Sequence, residues 1–322
     1  MLRHGRVARW LSSSSILRSD AYAEQLQRDL PVLYNESLQQ FAPTWARIAS
    51  VVAATSPTPP RRILDLASGG VAEPAVTLAK QWRSANVVAS DVNARLCAQA
   101  NARVNALGLG DHVEVQQIDL AAIALYGKAE DGSSDGEDDP PSVDVITCSL
   151  GLYMLPPVQH RSLFKGIAKL LPPGGRLIAT VWDRMGLLEV GQHVLHRALG
   201  QSPQLPYDPT SLGQSAADDM SAEAGLEPLM PLHGSVGSVP LNLGPVGSER
   251  AWMLGLLPYT GMLLELHRAR PSDDVLARVV DAFHEEVSRQ AEGKDGLLEC
   301  DAETREVRVR GLDYRVIAVR KH

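Results

Sequence analysis

The chain has 322 residues, 44% of them hydrophobic, with a formal net charge of -7. That length can bury a sizeable core, and the mildly acidic balance creates no overall field to gather phosphates, so nucleic acid is not an expected partner. Cys97, Cys148 and Cys300 stand far apart with no CxxC pair or Cys/His cluster, which argues against a disulfide framework and a structural zinc site; no metal is expected.

The first nineteen residues carry Arg3, Arg6, Arg9 and Arg18 and the serine run 12–15, with no acid before Asp20. Residues 1–19 therefore read as a transit peptide, with Leu2, Val7, Trp10, Leu11 and Ile16 as its apolar face, and the expected location is the mitochondrial matrix, with a plastid or the cytoplasm as alternatives. A disordered basic tail is the plainer reading. Residues 20–60 form a helical lead that ends in the breaker SPTPP at 56–60.

From 61 to 185 the periodicity alternates: strand RILDL, helix AEPAVTLAKQW, strand NVVASD, helix ARLCAQANARVNALG, strand VEVQQID, strand DVITCSL, helix HRSLFKGIAKLL and strand GRLIATVW. Strands alternating with helices imply an α/β fold with a parallel, doubly wound sheet, whose ligands bind beyond the carboxyl ends of the strands. Within this core, residues 128–141 (KAEDGSSDGEDDPP) are acidic and poor in packing residues and read as a disordered insert, since the acids lack EF-hand spacing. Residues 186–310 read as a linker and a helical lid. In the lid, SERAWMLGLL and SDDVLARVVDAFHEEVSRQ are amphipathic helices, each opened by a capping serine. Residues 311–322 supply a final sheet strand, with REVRVRGLDYRVIAVRK as a terminal hairpin or last strands. The most apolar stretch, 253–266, is broken by Pro258 short of the roughly 20 residues that a membrane span needs.

Asp65, Asp91 and Asp119 close the first three strands, so three carboxylates are expected along one sheet edge. Singly, each reads as a helix cap; together they suit a ligand offering ribose hydroxyls and amines, which is a nucleoside. The turn Ala67-Ser68-Gly69-Gly70-Val71-Ala72 lacks the G-x-G-x-x-G that cradles a pyrophosphate, which disfavours a nicotinamide dinucleotide. An acid at position 65 suits a ligand carrying an ammonium and a sulfonium instead.

These residues resemble the class I S-adenosylmethionine-dependent methyltransferases, especially the small-molecule group that includes the ubiquinone and menaquinone C-methyltransferases. The resemblance rests on ILDLASGGVAEPA, VVASDVN, VQQIDL, DVITCSLGLYMLP and LLPPGGRLIATVW in family order, over residues 40–185, with weaker support from AEAGLEPL at 222–229 and the closing strand. Ala67 and Val71 stand where the family usually has glycine. The resemblance implies a Rossmann-like, mainly parallel seven-stranded sheet with an antiparallel last strand, and S-adenosylmethionine as cofactor. It puts Asp65, Ala67, Ser68 and Gly69 beside the methionine part, Asp91 on the ribose, Asp119 on the adenine amine, Leu120 against the ring and Ser149 near the reactive methyl.

Tyr153, just beyond the SLG turn, is the candidate catalytic, substrate-facing residue, or else a packing aromatic. His160 reads as a cap or surface residue, His233 as a linker residue able to approach the methyl, and Trp182 as core. Trp252, Met253, Tyr259 and Met262 either wall an apolar pocket or fill a core. The expected activity is in-line methyl transfer to a small, apolar or aromatic molecule. A non-catalytic, methyltransferase-like assembly or binding protein of an organelle is the other class that fits.

Overall fold

The computed structural model describes residues 4–128, 143–201, 205, 208–271, 273–291 and 296–322. The acidic stretch 128–141 lies outside these but for the backbone of Lys128, as does Ser272, the expected cap of the last helix.

In chain order the elements are α1 (His4–Leu38), α2 (Ala42–Thr55), β1 (Arg62–Leu66), α3 (Ala75–Gln81), β2 (Asn86–Asp91), α4 (Ala94–Ala106) and β3 (Val113–Gln117). Then come α5 (Leu120–Lys128), β4 (Val145–Ser149), α6 (Pro157–Leu170), β5 (Arg176–Met185), α7 (Gly186–Leu199), α8 (Gln214–Glu223), β6 (Leu226–Pro228) and β7 (Val236–Ser238). The chain ends with β8 (Leu241–Pro245), α9 (Glu249–Gly255), α10 (Thr260–Ala269), α11 (Val275–Ala291), β9 (Leu298–Cys300), β10 (Glu306–Val309) and β11 (Leu312–Lys321). The expected helical lead is thus two helices, parted by a 3-10 turn at Gln39–Phe41, with Pro43 in the first turn of α2 where its missing N–H costs nothing.

Two compact units divide the chain. The first comprises Phe41–Arg184, Tyr207–Val239 and Asp313–His322, and the second Met1–Gln40, Met185–Pro206 and Pro240–Leu312.

The first unit holds a sheet in the order β3-β2-β1-β4-β5-β11-β6, with β7 also on β11. β3, β2, β1, β4 and β5 pair in parallel, while β6 and β7 run antiparallel to β11. This is the mainly parallel, Rossmann-like α/β fold expected. The central strands are apolar on both faces because helices cover both: four of the five residues of β1 and of β4 are buried. Leu66, Ile146, Cys148, Phe164, Leu177 and Ile317 sit in one apolar cluster there. Helices α5 and α6 pack backbone to backbone, since a side chain at Gly166 would collide with the Ile123 carbonyl. Strand order reverses between β2-β1 and β4-β5, and ligands of such sheets bind at this switch point, beyond the carboxyl edge.

The final sequence segment is not a hairpin. β10 pairs with β8 and β9 in a three-stranded sheet of the second unit, whereas β11 enters the large sheet.

In the second unit, Trp252, Met253 and Tyr259 are buried at 1%, 2% and 0% exposure, so they are core. Trp252 meets Tyr22 edge to face, and Gly191 leaves room for the Tyr259 ring. Ser248 caps α9 as expected, its side chain accepting from the Ala251 N–H. At α11 the cap comes from far away: Ser19 is fully buried and accepts from the Ala277 N–H at 3.0 Å, while Arg18 pairs with Asp281. Arg18 and Ser19 are therefore built into this unit. Ser19→Ala leaves a buried helix N–H without an acceptor and should lower stability by about 1 kcal/mol, read as a shift of the urea midpoint without a change in slope.

Candidate functional site

The turn after β1 is organised around one carboxylate. Asp65, expected beside the methionine part of a cofactor, is fully buried. Its oxygens accept from the Ser68 hydroxyl at 2.6 Å, the Thr147 hydroxyl of β4 at 2.7 Å and the Ala75 N–H of α3 at 3.2 Å. Asp65 therefore serves the fold, joining the turn to the neighbouring strand and to the helix that follows. Burial pushes its carboxyl up to about 7, against those three donors, each of which favours the charged form.

Ser68, offered as a cofactor ligand, also works within the chain. Its N–H donates to the Ser90 carbonyl at 2.7 Å, its hydroxyl oxygen accepts the Ser90 N–H at 3.1 Å, and the Ser90 hydroxyl returns to the Asp65 carbonyl at 2.9 Å. Turn and β2 are thereby stitched together. Ala67 sits at φ +53° and Gly69 at +61°, so the left-handed conformations that glycine normally supplies persist although position 67 is alanine. On the far side, a Cβ at Gly151 would stand 2.6 Å from that of Ala67 and 2.9 Å from the sulfur of Cys148, so the turns after β1 and β4 meet only because residue 151 is glycine.

Asp91 ends β2 with a partly exposed carboxylate. One oxygen accepts the Gly69 N–H at 3.1 Å and the other the Asn93 N–H at 2.9 Å. Each oxygen keeps a lone pair, and nothing lies within 4 Å of a Cβ built on Gly69, so the ground beside this carboxylate is open. Asn93 in turn caps α4 by accepting from the Arg95 N–H. Asp119 is exposed and caps α5 through the Ala121 N–H at 2.8 Å, while the Leu120 side chain is buried.

At the end of β4 the partly exposed Ser149 hydroxyl lies 3.0 Å from Thr44 Oγ1 of α2 and 3.5 Å from Thr180 Oγ1 of β5, both fully buried. Tyr153 follows in a 3-10 turn (Leu152–Met154), partly buried against the apolar cluster. His160 is no surface cap: it is 1% exposed, its Nε2 donates to the Leu155 carbonyl at 2.8 Å, and burial lowers its pKa. His233 is likewise held, with Nε2 at 2.6 Å from Asp218 and Nδ1 accepting the Ala318 N–H, which makes it a clip between α8 and β11. Trp182 is core, edge-on to Phe41.

Along the carboxyl edge, then, lie Asp91, the open flank of Gly69, Asp119 and Ser149. Thr44, Ser90, Thr147 and Gly151 join or support this set without having been singled out in the sequence; only their place at strand ends and in a turn marked them. Residues 63–175, which contain the whole edge but Thr44, match the family model described as "Methyltransferase domain". Residues 63–175 are a methyltransferase domain. The resemblance in its motifs implies S-adenosylmethionine as the cofactor. The residues of the methyltransferase domain fit that group: acceptors stand free at Asp91, and no side chain fills the space beside Gly69.

Searching curated proteins finds no match. Among solved structures, the YcgJ protein from Bacillus subtilis is similar at 13% identity and TM-score 0.47, covering 86% of this chain and 98% of that one. Magnesium protoporphyrin IX methyltransferase from Synechocystis PCC 6803, with bound SAH, is similar at 17% identity and TM-score 0.44, covering 62% and 77%. The [4+2]-cyclase SpnF is similar at 17% identity and TM-score 0.42, covering 85% and 80%. Among the described residues, no group of three His, Cys, Asp or Glu side chains is arranged to hold a metal ion, and no helix is long and apolar enough to cross a membrane.

The buried carboxyl gives the methyltransferase domain a pH signature. In the folded chain Asp65 holds its proton up to about 7, whereas in the unfolded chain it releases it near 3.8. Its contribution to stability is therefore complete below that lower value and is lost as pH rises through about 7. Urea midpoints at pH 5 and pH 8 should fall further for the wild type than for Asp65→Asn, which cannot ionise; equal falls would contradict the raised pKa.

Proposed function

We propose that the protein is an S-adenosylmethionine-dependent methyltransferase acting on a small, apolar or aromatic molecule. The observation that carries this reading is the carboxylate of Asp91. Two backbone amides fix its orientation, and its spare lone pairs lie beside the open flank of Gly69, where the two hydroxyls of a ribose find paired acceptors. Asp119, exposed beyond β3, stands where an adenine amine would need an acceptor, with Leu120 beside it. Ala67 and Gly69 flank the methionine part through their backbone, and Asp65 and Ser68 hold that backbone in place. The left-handed conformation of Ala67 favours an active site over a relic, because replacement of the usual glycine has not redirected the turn.

Bound S-adenosylmethionine would supply an activated methyl group, transferable by in-line displacement. What remains for this chain is to position the acceptor and exclude water. The edge beyond β4 suits an apolar acceptor: Met154 and Val158 are 65% and 83% exposed, with the partly buried ring of Tyr153 beside them in sequence. We assign Tyr153 the task of orienting that acceptor. The basic, serine-rich N-terminus supports import into the mitochondrial matrix, but a leader of residues 1–19 would take Arg18 and Ser19, which the second unit uses, so the proposed leader ends before Arg18.

Calorimetry tests the reading. The full chain should bind S-adenosylmethionine, and Asp91→Ala should weaken binding about tenfold or more, the size of losing hydrogen bonds to a charged acceptor. No heat at millimolar ligand would sink the enzyme and leave the assembly-protein reading standing.

A further inference from the structure

Resting on that reading, we propose that Thr44 is a positioning residue: it turns the hydroxyl of Ser149 so that only a lone pair faces the ligand, making this end of the site a subsite for a sulfonium in preference to a thioether. Proton bookkeeping carries the argument. Thr44 Oγ1 lies 2.8 Å from the Phe41 carbonyl, which can only accept, so the single proton of Thr44 is committed there. The same oxygen is 3.0 Å from Ser149 Oγ. Two hydroxyl oxygens at that distance share a proton, and only that of Ser149 is left to share. Ser149, having given its proton, can only accept from Thr180 Oγ1 at 3.5 Å. The protons therefore run one way, from Thr180 through Ser149 and Thr44 to the Phe41 carbonyl.

Thr44 and Thr180 are fully buried and Ser149 is partly exposed, so the face of this chain that a ligand meets is an acceptor. Its place matters as much as its polarity. β4 neighbours β1 on the side away from β2. On the proposed function, a nucleoside held at Asp91 on β2 and along the turn after β1 would place its 5′ substituent on the β4 side of the switch point. A sulfonium there brings positive charge and polarised methyl C–H groups to the remaining Ser149 lone pair. The demethylated thioether brings neither. The hydroxyl chain thus favours the methyl donor over its product, which eases product release.

The probes are S-adenosylmethionine and S-adenosylhomocysteine, titrated calorimetrically into the full chain. Thr44→Val keeps the shape of the side chain but frees the Ser149 proton to turn toward the ligand. The preference for the sulfonium over the thioether should fall about two- to fivefold, the size of one weak C–H···O contact. Thr44→Ser restores the hydroxyl and should restore the preference, which a packing defect would not allow. Ser149→Ala removes the acceptor and should lower the preference at least as far; it carries the test if the valine variant fails to fold. If both ligands bind and the ratio is unchanged in Thr44→Val and Ser149→Ala, this inference is overturned and the proposed function stands. If neither ligand binds the wild type, both fall together.

Discussion

The arrangement of the cofactor edge depends on a carboxylate that no solvent reaches. Desolvating Asp65 is costly, and the fold offsets that cost with three donors from three places: the turn itself, β4 and the first turn of α3. Each donor is thereby fixed relative to the others. The turn cannot swing without orphaning a buried oxygen, so the open flank of Gly69 stays in register with Asp91. A carboxylate pointing at the ligand would bind it once; turned inward, it shapes the backbone that the ligand meets.

That constraint explains how the turn tolerates alanine where glycine is usual. A left-handed alanine is strained by roughly 1 kcal/mol or more, a sum that the hydrogen bonds around Asp65 and the Ser68–Ser90 stitch can absorb. The methyl group then occupies space beside the turn after β4, and the accommodation appears at Gly151, where any side chain would strike Ala67 or Cys148. Position 67 carries a methyl group, and position 151, which meets it, carries no side chain.

Much of the fold was legible because it is written in local patterns. Apolar strands alternating with amphipathic helices specify a parallel sheet, and acids at strand ends mark its carboxyl edge. The inward turn of Asp65 was illegible because it depends on Thr147, which only strand pairing brings opposite it. Thr44 escaped for the same reason, reaching Ser149 across 105 residues. His160 and His233 misled because a lone histidine between elements looks the same in sequence whether it is free or clipped; burial and two fixed partners decide the matter for His233. Trp252 and Tyr259, whose spacing suited either a pocket wall or a core, proved to be core once α1, α7 and α9 were packed. The end of the chain shows where periodicity stops being informative. β10 and β11 alternate alike and are two residues apart, yet they belong to different sheets, since alternation fixes a strand's faces and not its partner.

Three side chains at the carboxyl edge, those of Asp91, Asp119 and Ser149, offer a ligand one polarity. Asp91 and Asp119 are carboxylates, and the hydroxyl chain behind Ser149 leaves that side chain as an acceptor as well. Donors abound nearby, but those of Ser68, Thr147 and Thr44 are spent inside the protein. An anionic ligand such as a pyrophosphate would face repulsion at Asp91, and the Gly69 N–H that could have served it is already given to that carboxylate. A ligand rich in hydroxyl and amine donors and carrying positive charge meets the opposite situation. Selectivity for the cofactor class thus follows less from any single contact than from the acceptors at Asp91, Asp119 and Ser149 acting together, with the Ser68, Thr147 and Thr44 hydroxyl protons and the Gly69 N–H used inside the chain.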